Sequence, residues 1–171
     1  VVALTLYVVT LAPTVTFVDS GELIVVAHSL GVAHPPGFPL WVMLAHLASL
    51  VPFGNVAWRL NLSSAVFAAT AAALLSLVVI EILGSRSFGG QNRTRRSRKA
   101  VAESPAPPSP GALFAPALTA GLLLAFSRTL WSYATVTEVY ALNTLLILAT
   151  FYFTLRWRRR LLTRIAGQPP K

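Results

Sequence analysis

From Leu62 to Ile80 the chain runs nineteen residues without a charge, bounded by Arg59 and Glu81. A helix rises about 1.5 Å per residue, so roughly twenty apolar residues cross a hydrocarbon core about 30 Å thick. The run therefore predicts a membrane-spanning helix, and its many Ala and Ser residues allow neighbouring helices to approach closely. Val1–Val18, Leu113–Phe126 and Val139–Leu155 are also uncharged. Charged residues make up only 11% of the chain, against about a quarter in soluble domains. These features predict an all-α, polytopic helical membrane protein with about four transmembrane helices. The expected spans are 1–18, 56–83, 111–130 and 137–157, within one membrane module covering 1–171.

The chain opens on Val1, with no basic stretch and no small-residue cleavage site. This pattern predicts a truncated first span rather than a signal peptide. Between the first two spans, residues 19–54 contain two apolar runs, Leu23–Leu30 and Leu40–Val51, that are too short to cross. They are expected to be interfacial helices in an outer loop, separated by the rigid turn His34-Pro35-Pro36-Gly37. Residues 84–110 are polar, basic and rich in proline, and read as a flexible cytoplasmic linker.

The net charge of +9 is concentrated in two places. Six basic residues lie between Arg86 and Lys99, and six more follow the last apolar run from Arg156 onward. Two clusters separated by a pair of spans are what the positive-inside rule produces. Amino and carboxyl termini are thus expected in the cytoplasm, with 19–54 and 127–138 outside, in a bacterial inner membrane. No aromatic residues interleave with the first cluster to stack on bases, so nucleic acid is not an expected partner. Membrane lipid is. The absence of cysteine excludes disulfide and thiolate chemistry.

The candidate chemistry sits in the two outer connections. Asp19, Glu22 and Glu138 are three of only five carboxylates, and His28, His34 and His46 all lie in the first loop. Ionisable groups at membrane depth are costly, which makes them candidates for function. A carboxylate here can act as general base toward an attacking hydroxyl, or join His34 on a divalent ion. No metal is required by the sequence. Asp19-Ser20-Gly21-Glu22 equally fits a helix start, with Asp19 or Ser20 as N-cap. His28 and His46, inside apolar runs, are expected to be hydrogen-bonded packing residues. Arg59 and Arg128 are the two basic residues outside the clusters, suited either to a lipid phosphate or to snorkelling at a span end. Tyr140 and Asn143 flank Glu138 at the mouth of the last span, and Trp41, Trp58, Trp131, Tyr133 and Trp157 fit an interfacial belt.

Five blocks taken in order carry a resemblance. They are Asp19-Ser20-Gly21-Glu22, His34-Pro35-Pro36-Gly37-Phe38-Pro39-Leu40, Pro52-Phe53-Gly54, Trp58-Arg59-Leu60-Asn61 and Glu138-Val139-Tyr140-Ala141-Leu142-Asn143, within a match that runs across residues 11–157. Together they resemble the membrane family called domain of unknown function 2723, whose animal relatives include a transmembrane protein O-mannosyltransferase. Phe38 departs from the tyrosine common there, and the 84–110 stretch is longer than the usual connection. Members have many more spans, so the chain matches the amino-terminal portion.

The resemblance implies a glycosyltransferase of the multi-span C-type fold. Such an enzyme takes a sugar, mannose being the natural candidate, from a polyprenyl-phosphate donor and passes it to an extracytoplasmic hydroxyl on a protein or glycan. Asp19 matches the essential acidic position of the first outer loop, and Glu22 and Glu138 match further acidic positions. His34, Arg59, Arg128, Tyr140 and Asn143 are the expected substrate-binding residues. The competing expectation is a non-catalytic membrane component that binds lipid or assists assembly of a cell-envelope complex.

Overall fold

The computed structural model describes residues 1–16, 19–94 and 110–165. Among the described residues seven helices follow one another: α1 (Val2–Val9), α2 (Ser20–Ser29), α3 (Pro39–Ser49), α4 (Val56–Thr94), α5 (Pro110–Ala125), α6 (Arg128–Ala134) and α7 (Tyr140–Ile165). No strand occurs among the described residues, in agreement with the all-α expectation. α4 is the axis, packing against α1, α2, α3, α5, α6 and α7.

Val56–Gly84 is the one helix long and apolar enough to cross a membrane by length and composition. Only 22% of its most apolar stretch is buried, whereas the core helix of a soluble protein would be mostly covered. Gly111–Ala125 and Arg128–Ala134 pass the same test only as a pair, bent by 61° at Phe126-Ser127. Among the described residues, then, one span of the expected four is clear, and a second depends on how the bend is read.

The first span is not a continuous helix. α1 ends at Val9, and Pro13 gives the reason. A helical Pro13 would have no N–H to offer the Val9 carbonyl and would press its ring against it. Farther on, α4 continues through Thr94. The first eleven residues of the stretch read as a linker (84–94) are therefore helical, and residues 95–109 lie outside the described residues.

Two short helices, α2 and α3, lie within residues 19–54. Asn55 starts α4, its Oδ1 accepting from the Trp58 N–H at 2.8 Å. Pro39 sits in the first turn of α3, where a missing N–H costs nothing. Gly54, at φ +68°, turns the chain from α3 into α4, a conformation open to glycine without steric penalty.

The buried core lies at the amino-terminal half of α4. One cluster joins Leu23 and Ala27 of α2, Trp41 and Ala45 of α3, Leu60 of α4 and Leu142 of α7. The other joins Tyr7, Ala65, Ala68, Leu130 and Ala141. Away from it, Phe114, Leu118 and Leu123 on α5, and Ile147, Phe151 and Phe153 on α7, are exposed. Apolar surface on that scale is costly in water and suits a lipid surround.

Candidate functional site

The acidic connections meet at the α4 end that begins with Asn55. Residues 11–14 run alongside the α6–α7 connection, with the Ala12 N–H donating to the Thr135 carbonyl at 3.0 Å. The first turns of α4 tie both down. Asn55 Nδ2 donates to the Pro13 carbonyl (3.0 Å), and Asn61 Nδ2 donates to the carbonyls of Ala12 (2.8 Å) and Thr14 (3.2 Å). From the other side Thr137 Oγ1 donates to Asn61 Oδ1 at 2.5 Å. The Glu138 N–H donates to Ser64 Oγ at 3.5 Å, a long bond at the edge of ordinary geometry.

Asp19 and Glu138, 119 residues apart in sequence, are near enough for the charge of one to act on the other. Asp19 occupies the N-cap position of α2, yet its side chain makes no capping hydrogen bond. Of the two readings open from sequence, side-chain capping is therefore not the one realised. Glu138 is buried, in the connection ahead of α7 and outside both helices. Burial pushes its carboxyl above the ordinary glutamate range, and the nearby charge of Asp19 adds to this; the Val139 backbone N–H and the charge of His34 oppose it.

Glu22 has a different task. It accepts from the His34 N–H at 2.8 Å and lies 3.2 Å from His34 Nδ1. These contacts hold the His34-Pro35-Pro36-Gly37 turn, whose Pro35–Pro36 bond is cis, against the first turn of α2. The hydrogen bond from the His34 backbone is the main reason the Glu22 carboxyl lies below its ordinary range; the His34 side chain contributes in the same direction. The His34 ring also meets Phe38 edge-on, with centroids 5.6 Å apart. Asp19, Glu22, His34 and Glu138 thus occupy one neighbourhood, linked by charge and by hydrogen bonds.

The remaining expected residues separate. The Arg59 guanidinium donates to the Ser49 carbonyl and, at 3.2 Å, to the Gly54 carbonyl. It closes the carboxyl end of α3 and the following turn. Arg128 is exposed at the start of α6 with no ion pair among the described residues. Tyr140 stacks on Tyr133 at 4.5 Å, and Asn143 is exposed one turn farther along α7. His46 does pack as expected, its Nδ1 2.9 Å from the Ala27 carbonyl. His28 does not: it is exposed on α2, and its side chain makes no hydrogen bond among the described residues. The reason is helical phase, which turns position 28 outward while Ala27 faces the core.

No group of three or more metal-ligating side chains converges among the described residues, so Asp19, His34 and Glu138 do not form a three-ligand set. Asn61, Ser64 and Thr137 were not singled out from the sequence. Asn61 stands inside one of the five blocks, but nothing local distinguishes a bracing amide from an ordinary helix residue.

The described residues form a helical fold whose broad exposed apolar faces suit a lipid surround, the class of helical membrane proteins. The chain belongs to the family described as the Protein O-mannosyl-transferase TMEM260 N-terminal domain, which matches residues 19–166. It is similar to Protein O-mannosyl-transferase TMEM260 of Mus musculus, at 39% identity over 140 residues, covering 81% of this chain and 16% of that protein. It is also similar to Protein O-mannosyl-transferase tmem260 of Dictyostelium discoideum, at 28% identity over 145 residues, covering 83% of this chain and 14% of that one. The chain thus spans about a sixth or less of the length of these relatives. No solved structure matches it.

Proposed function

We propose that this chain forms the acidic end of a membrane O-mannosyltransferase that uses a polyprenyl-phosphate-linked sugar. Asp19 is the general base: it takes the proton of the acceptor hydroxyl as that oxygen bonds to the anomeric carbon. The bond from that carbon to the phosphate oxygen breaks, and the lipid phosphate leaves with the electron pair. Glu138 orients the acceptor, a hydroxyl on a protein or glycan. Glu22 acts by holding His34 and its turn, and His34, Tyr140 and Asn143 line the approach. Arg128, unpaired and exposed, offsets charge on the leaving phosphate. The acidic end faces the extracytoplasmic side, with both termini on the Arg-rich cytoplasmic side. The C-type fold and the kinship with domain of unknown function 2723 belong to this same reading.

The observation that carries it is the uncapped Asp19 carboxylate at a helix start, close enough to raise the buried Glu138. Titratable groups whose surroundings push them from ordinary values cluster at functional sites. In membranes containing the full protein, Asp19→Asn is expected to lower mannosyl transfer by about 100-fold or more, with helix content unchanged by circular dichroism. Undiminished transfer ends the assignment.

The broad exposed apolar faces of α5 and α7 favour a second reading, a lipid-binding component without turnover. Labelled lipid-phosphate mannose separates the two: binding followed by transfer supports the enzyme, and binding alone supports the component.

A further inference from the structure

Asn61 is wholly buried on α4, and its amide is used at both ends. Nδ2 donates to Ala12 and Thr14, and Oδ1 accepts from Thr137. The partners are not random places along the chain. Thr14 lies five residues before Asp19, and Thr137 immediately precedes Glu138. One side chain therefore holds the approach to each carboxylate. Volume alone does not explain the choice, because the bonds need a group that donates twice and accepts once. Aspartate has the same shape and only accepts; leucine does neither. Thr137 is equally buried, so losing either partner strands a polar atom out of water, which is the expensive way to lose a hydrogen bond.

We propose that Asn61, acting with Thr137, is the positioning residue of the acidic pair, holding Glu138 against α4 where it stays shielded and close to Asp19. For its kinetic consequence the idea rests on the transferase reading; for its structural consequence it does not. The charged groups facing Glu138 are Asp19, at the start of α2, and His34, in the turn between α2 and α3. From α4 it meets the neutral Ser64 hydroxyl. Loosening the brace admits water to Glu138 and lets Asp19 move away, and both changes return its titration toward that of an ordinary glutamate.

The test is an infrared titration of the purified full chain carrying ¹³C-labelled glutamate, with the Glu138 band assigned by its disappearance in Glu138→Gln. Thr137→Val keeps the shape and removes the hydroxyl, Asn61→Ala removes the amide, and Thr137→Ser restores the donor. The Glu138 midpoint is expected to fall in the first two and to stay at the wild-type value in the third. A merely structural role would lower the melting temperature and leave the midpoint in place, so an unmoved midpoint in Thr137→Val and Asn61→Ala overturns the proposal. If Asn61→Ala does not fold, Thr137→Val decides alone. In transfer assays Thr137→Val is expected to lower kcat about ten-fold with little change in KM, and Thr137→Ser to recover it. A wild-type protein without transfer would sink the transferase reading, whereas the titration still judges the brace.

Discussion

The two ends of the α4–α7 pair treat a poorly exposed glutamate in opposite ways. At the Arg-rich end Glu81, its side chain 11% exposed, is 3.0 Å from Arg159 Nη1. At the other end Glu138, 9% exposed, makes no salt bridge among the described residues, and its electrostatic neighbours are Asp19, which raises its carboxyl, and His34, which opposes this. The first arrangement neutralises a charge that would otherwise be costly to cover. The second leaves the cost in place, held by Asn61, Ser64 and Thr137. A fold selected for stability alone would have no use for it. The contrast separates a carboxylate that fastens two helices from one that the proposed transferase reading puts to use.

Glu138→Gln probes the contrast most strongly. Transfer is expected to fall about 100-fold, while the melting temperature rises because an unpaired buried charge has gone. The sign follows from the raised carboxyl. Stability is greatest below the ordinary glutamate range and declines as pH rises through the elevated value, and that decline should vanish in the variant. A variant that loses stability, measured by thermal unfolding in detergent, would mean Glu138 is structural like Glu81. Glu81→Gln should do the reverse: transfer unchanged and stability lower by about 0.5–1 kcal/mol, the scale of a partly exposed ion pair. A loss of transfer there would erase the distinction between the ends.

Glu22 gives the smallest effect. Its carboxyl is lowered by His34, so its contribution is present above the ordinary glutamate value and fades as pH falls through the depressed one. Proteolysis of the 30–38 turn should accelerate in that acidic window in the wild-type chain. In Glu22→Gln the same turn should be cleaved readily at every pH, and pH-independent resistance in the variant would show that the contact does not hold the turn.

The fold was legible where a local rule decides it. The uncharged run before Glu81 announces α4, and Pro39, Gly54 and the His34–Gly37 turn place the short helices of the first loop. Val1–Val18 looked like a span because hydropathy ignores backbone geometry, which Pro13 controls at Val9. The polar character of 84–94 describes its solvent, and α4 runs on regardless, because helical hydrogen bonds do not require apolar side chains. Asp19, Glu22, His34 and Glu138 stand out in the sequence as scarce ionisable groups in the connections between apolar runs, but the contact of Glu22 with His34 is not visible there. The partners of Arg59 were not legible, since they are backbone carbonyls that any sequence would supply. Asn61 and Thr137 stand 76 residues apart, and no periodicity links such a pair.

Tyr7 is buried on α1, and its phenol donates to the Ala125 carbonyl at 2.6 Å, where α5 gives way to the bend before α6. Donor and acceptor are separated by 118 positions, so α1 leaves the ribosome long before its partner is made. Until then the hydroxyl must be served by water, lipid headgroups or an insertion factor. α1 is thus fastened by a carbonyl made 118 positions later, so this contact closes the bundle instead of extending it outward from α1.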